Sequence, residues 1–566
     1  MKTPPSSGDR DRQSEATSPG PGTSIWSPLQ RAVFRSVWIA LVASNIGTWM
    51  QSVGAAWLMT TLTPSPLLVA LMQTAISLPI FLVGLPAGAL ADVVDRRKLL
   101  LLTESWLLLT ALALGLLTLA GTMSAWTLLS LTFLMGLGAA LDGPAWQAIV
   151  SDLVERQELP SAVALNIVGF NVGRAVGPAL GGLVVAAAGP AAVFLLNAGS
   201  FLAVLVVIYR WRRTQGTQIL SDAPPEDMLG ATTAGMRYVR HAPALQAVLV
   251  RTGVFIFGAS ALWALLPVVA RHELGLDATG YGIVLGSLGF GAVAGALLLP
   301  RLRRSLPIDR LTGAATLVFA GATLALAYLR FVPLVVVSMG VGGIAWMAMT
   351  SSLNVAAQTA APAWVRARAV SLYILVFQGL MAVGGLAWGA VAQQFGSGTA
   401  LSVAALLLVC GLAATRRWPL HLVQGLDLSP SGHWPDPELA ITPDPEGGPV
   451  LITVEYRVPA ERASDFIETM DAMRTFRRRE GAISWGLFRD AADPDHYVET
   501  FLVLTWAEHL RQHARVTVED QALEARRNAF LQPGVEPFTS HLINAHSFAA
   551  RPPGAAWHRA ITVDSS

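Results

Sequence analysis

Three ionisable residues lie inside stretches otherwise too apolar to hold charge: Glu104, Asp142 and Arg174. A charge near the middle of a hydrocarbon core costs at least about 2.5 kcal/mol unless it is paired or wet, so such residues mark functional positions. A carboxylate there can take up and release a proton, and a guanidinium can hold its negative charge in place. With a rise of 1.5 Å per residue, Asp142 falls about 7 Å from the middle of its stretch. Arg174 falls near the middle of the next one, so depth predicts an Arg174–Asp142 ion pair. Glu104 reads either as a second proton site or as a group near one mouth of its span. Uncharged polar residues accompany them: Asn45 and Gln51, Asn166 and Asn171, Asn354, and Gln378. With Trp49, Trp57, Trp263, Trp346 and Trp388 as aromatic walls they could line a cavity for a bulky ligand. Each taken alone also reads as an interhelical hydrogen bond or a lipid contact.

The elements that must position these residues follow from composition. Of the 566 residues, 53% are hydrophobic and 13% charged, far from the roughly 25% charged of a soluble protein. The pattern is that of an all-α polytopic membrane protein. A net charge of +2 is too close to neutral to suggest a nucleic-acid partner, and none is expected, while the lone Cys410 excludes an internal disulfide. No cofactor is expected, and no metal-ligand set is evident in the sequence. Runs long enough for a core about 30 Å thick occur near 33–61, 66–91, 99–120, 126–149, 161–188 and 191–210. A second set occurs near 246–270, 279–300, 308–328, 332–355, 366–394 and 398–415. Alternate turns carry the basic residues, among them Arg96, Arg97 and Lys98, Arg210 to Arg213, Arg301 to Arg304, and Arg416 and Arg417. Basic residues are retained on the cytoplasmic side, so both termini are expected there.

The two sets are related. An offset of 207 positions lays Gly291, Gly295, Leu297, Arg303 and Arg304 on Gly84, Gly88, Leu90, Arg96 and Arg97. The same offset lays Ala382 to Gly389 on Ala175 to Gly182, with Phe377 over Phe170 and Gln378 over Asn171. Two like halves with a site between them are a common transporter organisation. In Gly88-x-x-x-Asp92 the glycine permits close helix approach and the aspartate sits at a helix end, a combination that reads as a conformational latch. Gly173, Gly177 and Gly181, at spacings of four, form a groove for a facing helix, with Gly182 beside them and Pro178 bending the segment.

Beyond the spans, residues 1–30 read as a disordered cytoplasmic tail, 213–245 as a cytoplasmic linker with a short interfacial helix, and 419–448 as a Pro- and Gly-rich linker. Between them lie the halves 31–212 and 246–418. Residues 449–547 change character: alternating Val450, Ile452, Val454, Tyr456 and Val458 mark a strand. A helix containing Phe466, Met470 and Met473, strands at 482–489 and 496–504, and helices near 507–514 and 518–530 follow. With a last strand at 541–546 they form a soluble α+β unit before a tail at 548–566.

The Gly88 to Arg97 stretch resembles the loop signature of the major facilitator superfamily, with Val93 and Asp95 where that signature has Arg and Gly. Gly173 to Gly182 resembles its antiporter motif at every glycine and the proline. The order of twelve spans and a terminal domain with Glu480 to Arg489 and Thr505 to His513 is similar to the enterobactin-exporter-like branch, the transmembrane secretion effectors. That resemblance implies a twelve-helix bundle in the bacterial inner membrane. It implies export of siderophores or amphipathic drugs driven by proton antiport; the intramembrane carboxyls Asp142 and Glu104 are the expected sites of proton coupling. The terminal unit is similar to ferredoxin-like domains of cofactor-free monooxygenases. Trp485, Glu499, His509 and His513 are its reactive candidates in the alternative reading of a membrane-anchored enzyme with a monooxygenase-like cytoplasmic domain, although exposed His and Glu on surface helices are normally solvated. Pairing of such domains into a homodimer is a further implication.

Overall fold

The computed structural model describes residues 26–211 and 228–545, apart from 156, 424, 436, 438 and 440–442. The tail expected at 548–566, residues 1–25 and the linker residues 213–227 lie outside the described residues. The tail expected to reach residue 30 ends earlier, because Ser27–Gln30 form a 3-10 turn that buries Pro28. The described residues form two compact units, one within Met1–Leu220, Val250–Leu353 and Ser371–Arg417, the other within Ser221–Leu249, Asn354–Val370 and Trp418–Ser566.

The long helices are α1 Ala32–Leu62, α2 Pro66–Val93, α3 Arg96–Leu119, α4 Ala125–Leu153, α5 Leu159–Ala188 and α6 Pro190–Arg210. After the shorter α7 Met228–His241 come α8 Pro243–Val268, α9 Ala278–Ser305, α10 Ile308–Tyr328, α11 Val332–Thr359, α12 Ala363–Phe395 and α13 Ser397–Ala414. Among the described residues, eleven helices are long and apolar enough to cross a membrane. The 31-residue α1 is outside that count, its apolar sequence being interrupted by Asn45, Thr48, Gln51 and Ser52.

Local chemistry sets the helix ends. Ser65, Asp95, Ser124 and Asp277 each accept a hydrogen bond from the backbone N–H three residues on, satisfying a donor that the first turn leaves free. Asp95, which departs from the superfamily signature, is thus a helix cap for α3. A single glycine, Gly189 at φ +78°, separates α5 from α6, and Gly396 at φ +86° separates α12 from α13. A side chain at that φ is strained. The two turns are 207 positions apart, the offset that relates the sequence motifs.

In the first unit, α1 packs on α5 and α6, α3 on α6, α2 on α4, and α9 on α5. The Trp38 indole of α1 donates to the Leu165 carbonyl of α5 at 3.0 Å. The second unit contains a four-stranded antiparallel sheet. Its strands are β1 Val450–Arg457, β2 Ser484–Arg489, β3 His496–Val503 and β4 Phe538–Ile543, in the order β2-β3-β1-β4. Helices α14 Ala463–Arg479, α15 Trp506–Arg515 and α16 Val518–Asn528 complete it. Alternation buries Val450, Ile452, Val454 and Tyr456 of β1 with Tyr497, Phe501 and Val503 of β3 against Phe466, Met470 and Met473 of α14. Burying side chains of this size contributes about 1.5–3 kcal/mol each.

Candidate functional site

In the first unit the sequence halves meet along α5–α9 and α2–α12. A Cβ on Gly182 would lie 2.5 Å from the Ala278 carbonyl oxygen and 3.0 Å from Gly282 Cα, so the α5 and α9 backbones touch there. Ser65 Oγ donates to Gln393 Oε1 at 2.7 Å, and Thr74 Oγ1 to the Ala382 carbonyl at 2.7 Å. Trp57 stacks on Tyr281 at 6.2 Å, with the Arg271 guanidinium 5.0 Å from the Trp57 ring centre. These contacts lie in the part of the bundle that ends at the 62–66, Gly189 and Gly396 turns.

Arg174 stands deeper between the halves. Its guanidinium carbon is 5.9 Å from the Trp49 ring centre of α1 and 5.7 Å from the Trp263 ring centre of α8. Trp263 in turn contacts Trp346 at 5.2 Å, the hub of a cluster with Phe255, Phe319 and Phe377. The Arg174 Nε and Trp263 Nε1 atoms are buried with no hydrogen-bond partner among the described residues. Two donors without acceptors beside aromatic faces suit an anionic or electron-rich ligand.

The expected Arg174–Asp142 pair does not form. Asp142 accepts from Thr103 Oγ1 at 2.7 Å, and the neighbouring Glu104 accepts from the Trp146 indole at 3.2 Å. Asp142 therefore faces α3, whereas Arg174 faces α1 and α8: depth fixed each residue's height in its helix but not its direction around the axis. Glu104 is 2% exposed, and its Oε2 has no partner among the described residues. Gln51 is not a cavity residue either. It is buried between α1 and α6, where Asn197 Nδ2 donates to its Oε1 at 2.6 Å. Asn45 lies under Gly173, and Asn171 donates to the Ile167 carbonyl of its own helix at 2.8 Å. Asn354 belongs to the second unit and accepts from Gln358 at 2.7 Å. Gln378 is half-buried next to Phe377 and Gly379.

Gly173, Gly177 and Gly181 all abut α1: a Cβ would come within 2.9 Å of Asn45, 2.5 Å of Trp49 and 2.8 Å of Met50 respectively. Pro178 is buried beside them, its carbonyl turned toward Gly282. Among the described residues a Cβ on Gly88 would meet nothing within 4 Å, so the close approach expected there is not seen among them. Asp92 stands in the last turn of α2. Arg96 donates to the Ala148 carbonyl at 3.1 Å and pairs with Asp152 at 3.4 Å, and Arg97 donates to the Ile208 and Tyr209 carbonyls at 3.2 and 2.7 Å. Both arginines thus close the C-terminal turns of α4 and α6. Sequence reasoning missed Arg251 of α8, 7% exposed and paired with Asp309 at 2.8 Å. A lone arginine in an apolar run was the signal.

In the second unit, Glu499 and His509 are buried, not solvated as their residue types suggested. Glu499 accepts from Arg477 Nε at 3.1 Å, Tyr456 Oη at 2.6 Å and Trp485 Nε1 at 2.8 Å. Burial pushes its carboxyl up, but Arg477, Tyr456 and Arg527 outweigh that and hold it below the ordinary glutamate value. A cavity of about 450 Å³ lies between the sheet and the helices. His509, His513 and His541 meet at its wall, their ring nitrogens within 4.8 Å of one another. No metal-ligand set was evident in the sequence because His541 comes from β4, brought opposite Ile452 by the strand register. His513 also meets Trp434 edge-on at 5.0 Å.

The comparisons with known proteins agree with this architecture. A family model described as transmembrane secretion effector matches residues 23–549. The multidrug efflux pump Tap of Mycolicibacterium fortuitum is 27% identical over 59% of this chain and 82% of its own. The staphyloferrin A transporter of Staphylococcus aureus is 24% identical over 64% and 91%, and the enterobactin exporter EntS of Escherichia coli 28% over 56% and 75%. Among solved structures, a bacterial homologue of the lysosomal transporter Spinster, inward-facing and occupied, has a TM-score of 0.56 at 15% identity, covering 70% of this chain and 98% of that one. The nucleoside transporter NupG has a TM-score of 0.56 at 12% identity, covering 68% and 99%.

Proposed function

Because the chain belongs to the family of transmembrane secretion effectors, multi-pass membrane transporters and not enzymes, we propose that it exports siderophores or amphipathic drugs across the bacterial inner membrane by alternating access. The Arg174 guanidinium between Trp49 and Trp263, one indole from each half, carries this reading. Iron chelators present catechol or carboxylate oxygens, which suit a guanidinium, and flat rings or apolar chains, which suit indole walls.

The proposal takes twelve crossings, with α1 as the first, in halves 31–212 and 246–418 joined by the 213–245 linker. The 207-position recurrence of the Gly189 and Gly396 turns supports two like halves. Both termini face the cytoplasm in this reading, by the placement of basic turns. The halves then meet on the outer side, and the conformation is open inward. The free space at Gly88 fits that state, since a latch involving Gly88 and Asp92 would engage when the cytoplasmic side closes.

Proton antiport is part of the proposal, with Asp142 and Glu104 as carriers in the α3–α4 seam. Their separation from Arg174 makes the coupling one between packed helices rather than one shared ion pair. The soluble residues 449–547, after the 419–448 linker, have the strand order of a ferredoxin-like domain. Half or more exposed Phe488, Phe538 and Leu542 on the sheet's outer face support a homodimer through it.

The test is efflux from proteoliposomes loaded with a catecholate siderophore, a carboxylate siderophore or a cationic dye, with and without a pH gradient. Gradient-dependent loss of at least one compound is expected. Identical leakage from vesicles holding wild type and from empty vesicles refutes export.

A further inference from the structure

We propose that His509, His513 and His541 form a binding site for a divalent transition-metal ion of the zinc type, with an open coordination position facing the 450 Å³ cavity of the second unit. The site is independent of what the membrane helices carry.

The ligand geometry comes from two elements. His509 and His513 are four residues apart on α15, hence on one face one turn apart, and their ring centres are 4.9 Å apart. His541 on β4 completes the triangle at 4.8 Å from His509. A tetrahedral zinc with bonds of about 2.0–2.1 Å needs ligand nitrogens roughly 3.3 Å apart. The nitrogens already lie within 4.8 Å, so modest ring rotations close the set. His509 is buried in the core, while His513 and His541 are half-buried.

The tautomer of His509 is set for ligation. Gln512 Nε2 donates to the Glu480 carbonyl at 3.2 Å, which leaves its Oε1 as an acceptor toward His509 Nδ1, also at 3.2 Å. Nδ1 must then carry the proton, and Nε2 presents a lone pair. That atom is buried with no hydrogen-bond partner among the described residues, although His509 is only 2% exposed. A metal-ligating imidazole typically shows this arrangement, its other nitrogen donating to an oriented acceptor.

The charges around the cavity leave room for a cation. Arg477 and Arg527 line it, but Glu499 and Glu524 answer them: Arg477 is bonded to Glu499 at 3.1 Å and lies 3.8 Å from Glu524. Three neutral nitrogens without thiolate favour zinc, nickel, copper or iron(II) over magnesium or calcium.

The full chain, purified in detergent without a polyhistidine tag and stripped with a chelator, is titrated with zinc against a chromophoric competitor. Cobalt(II) is added separately and read by visible absorption. One equivalent of zinc and the intense spectrum of four-coordinate cobalt are expected. His541→Gln and His513→Gln should each weaken binding at least about tenfold, and Gln512→Leu about 10–100-fold, while His496→Gln leaves it unchanged. Unaltered secondary structure and melting in metal-free buffer establish that the variants fold. No cobalt spectrum in the wild type, or zinc binding indifferent to His541→Gln, would mean that the three rings merely pack together.

Discussion

Arg174 and Trp263 face each other across the two halves of the bundle, guanidinium carbon to ring centre 5.7 Å, each with a buried N–H that has no hydrogen-bond partner among the described residues. A cation–π contact of this kind contributes about 0.5–2 kcal/mol to holding the guanidinium in place, so Trp263→Leu, which also removes an aromatic wall, should weaken substrate binding. Arg174→Ala should reduce export of an anionic siderophore more than that of a cationic dye, and Arg174→Lys should fall between. Initial efflux rates as a function of concentration check this. Equal losses for both compounds would remove Arg174 from substrate recognition.

Asp142→Asn should leave the protein folded and inserted but abolish the dependence of export on a pH gradient. The hydrogen bond from Thr103 Oγ1 at 2.7 Å can be kept by the amide oxygen, which is why folding should survive. Glu104→Gln should act in the same direction. Efflux at several imposed gradients distinguishes the two carboxyls; unchanged coupling in both variants would place the proton path elsewhere.

Gly182→Ala puts a methyl group 2.5 Å from the Ala278 carbonyl oxygen, and it should pry α5 from α9. In a Cys410→Ser background, cysteines at Ser65 and Gln393, whose side chains now hydrogen-bond at 2.7 Å, should be joined readily by a short bifunctional reagent. The yield should drop severalfold when Gly182→Ala is added, and export should slow with it. An undiminished yield would show that this contact does not hold the halves together.

Glu499 is a pH-sensitive group in the core of the second unit. Its carboxyl is held below the ordinary value in the folded state. The folded form therefore binds fewer protons than the unfolded one near the ordinary glutamate value of 4.5, and stability rises with pH there. The contribution is present above that pH and lost as pH falls through the lower folded value. Glu499→Gln leaves Arg477 with only the more distant Glu524 carboxylate at 3.8 Å and should cost up to about 3–5 kcal/mol. Limited proteolysis of the full chain from pH 7 down to 3 should show wild type losing protection on acidification and the variant already sensitive at pH 7.

What could be read from the residues divides along a physical line. Hydropathy and turn chemistry place the helices because both are one-dimensional signals. Expected spans such as 66–91 and 191–210 match Pro66–Val93 and Pro190–Arg210 closely. The glycine pattern also translates directly, since spacings of four define one face. Azimuth does not translate: Asp142 and Arg174 have suitable depths yet face different neighbours, and Gln51 turned toward Asn197 rather than a cavity. In the second unit, helix and strand types were legible, but the last strand is Phe538–Ile543 rather than 541–546. His541 joins two histidines about thirty positions earlier only through the β1–β4 register, which no local pattern encodes.

Where Gly182 meets Ala278 and Gly282, peptide groups touch without any rotamer to yield. Such a junction behaves as an end-stop: the halves can reach one spacing and go no further. Under the proposed alternating access, a substrate can then alter how long this gate stays shut but hardly how far it shuts, whereas a side chain added at Gly182 would move the stop itself. A transporter built this way should show discrete dwell times in single-molecule recordings rather than a graded range of gate widths.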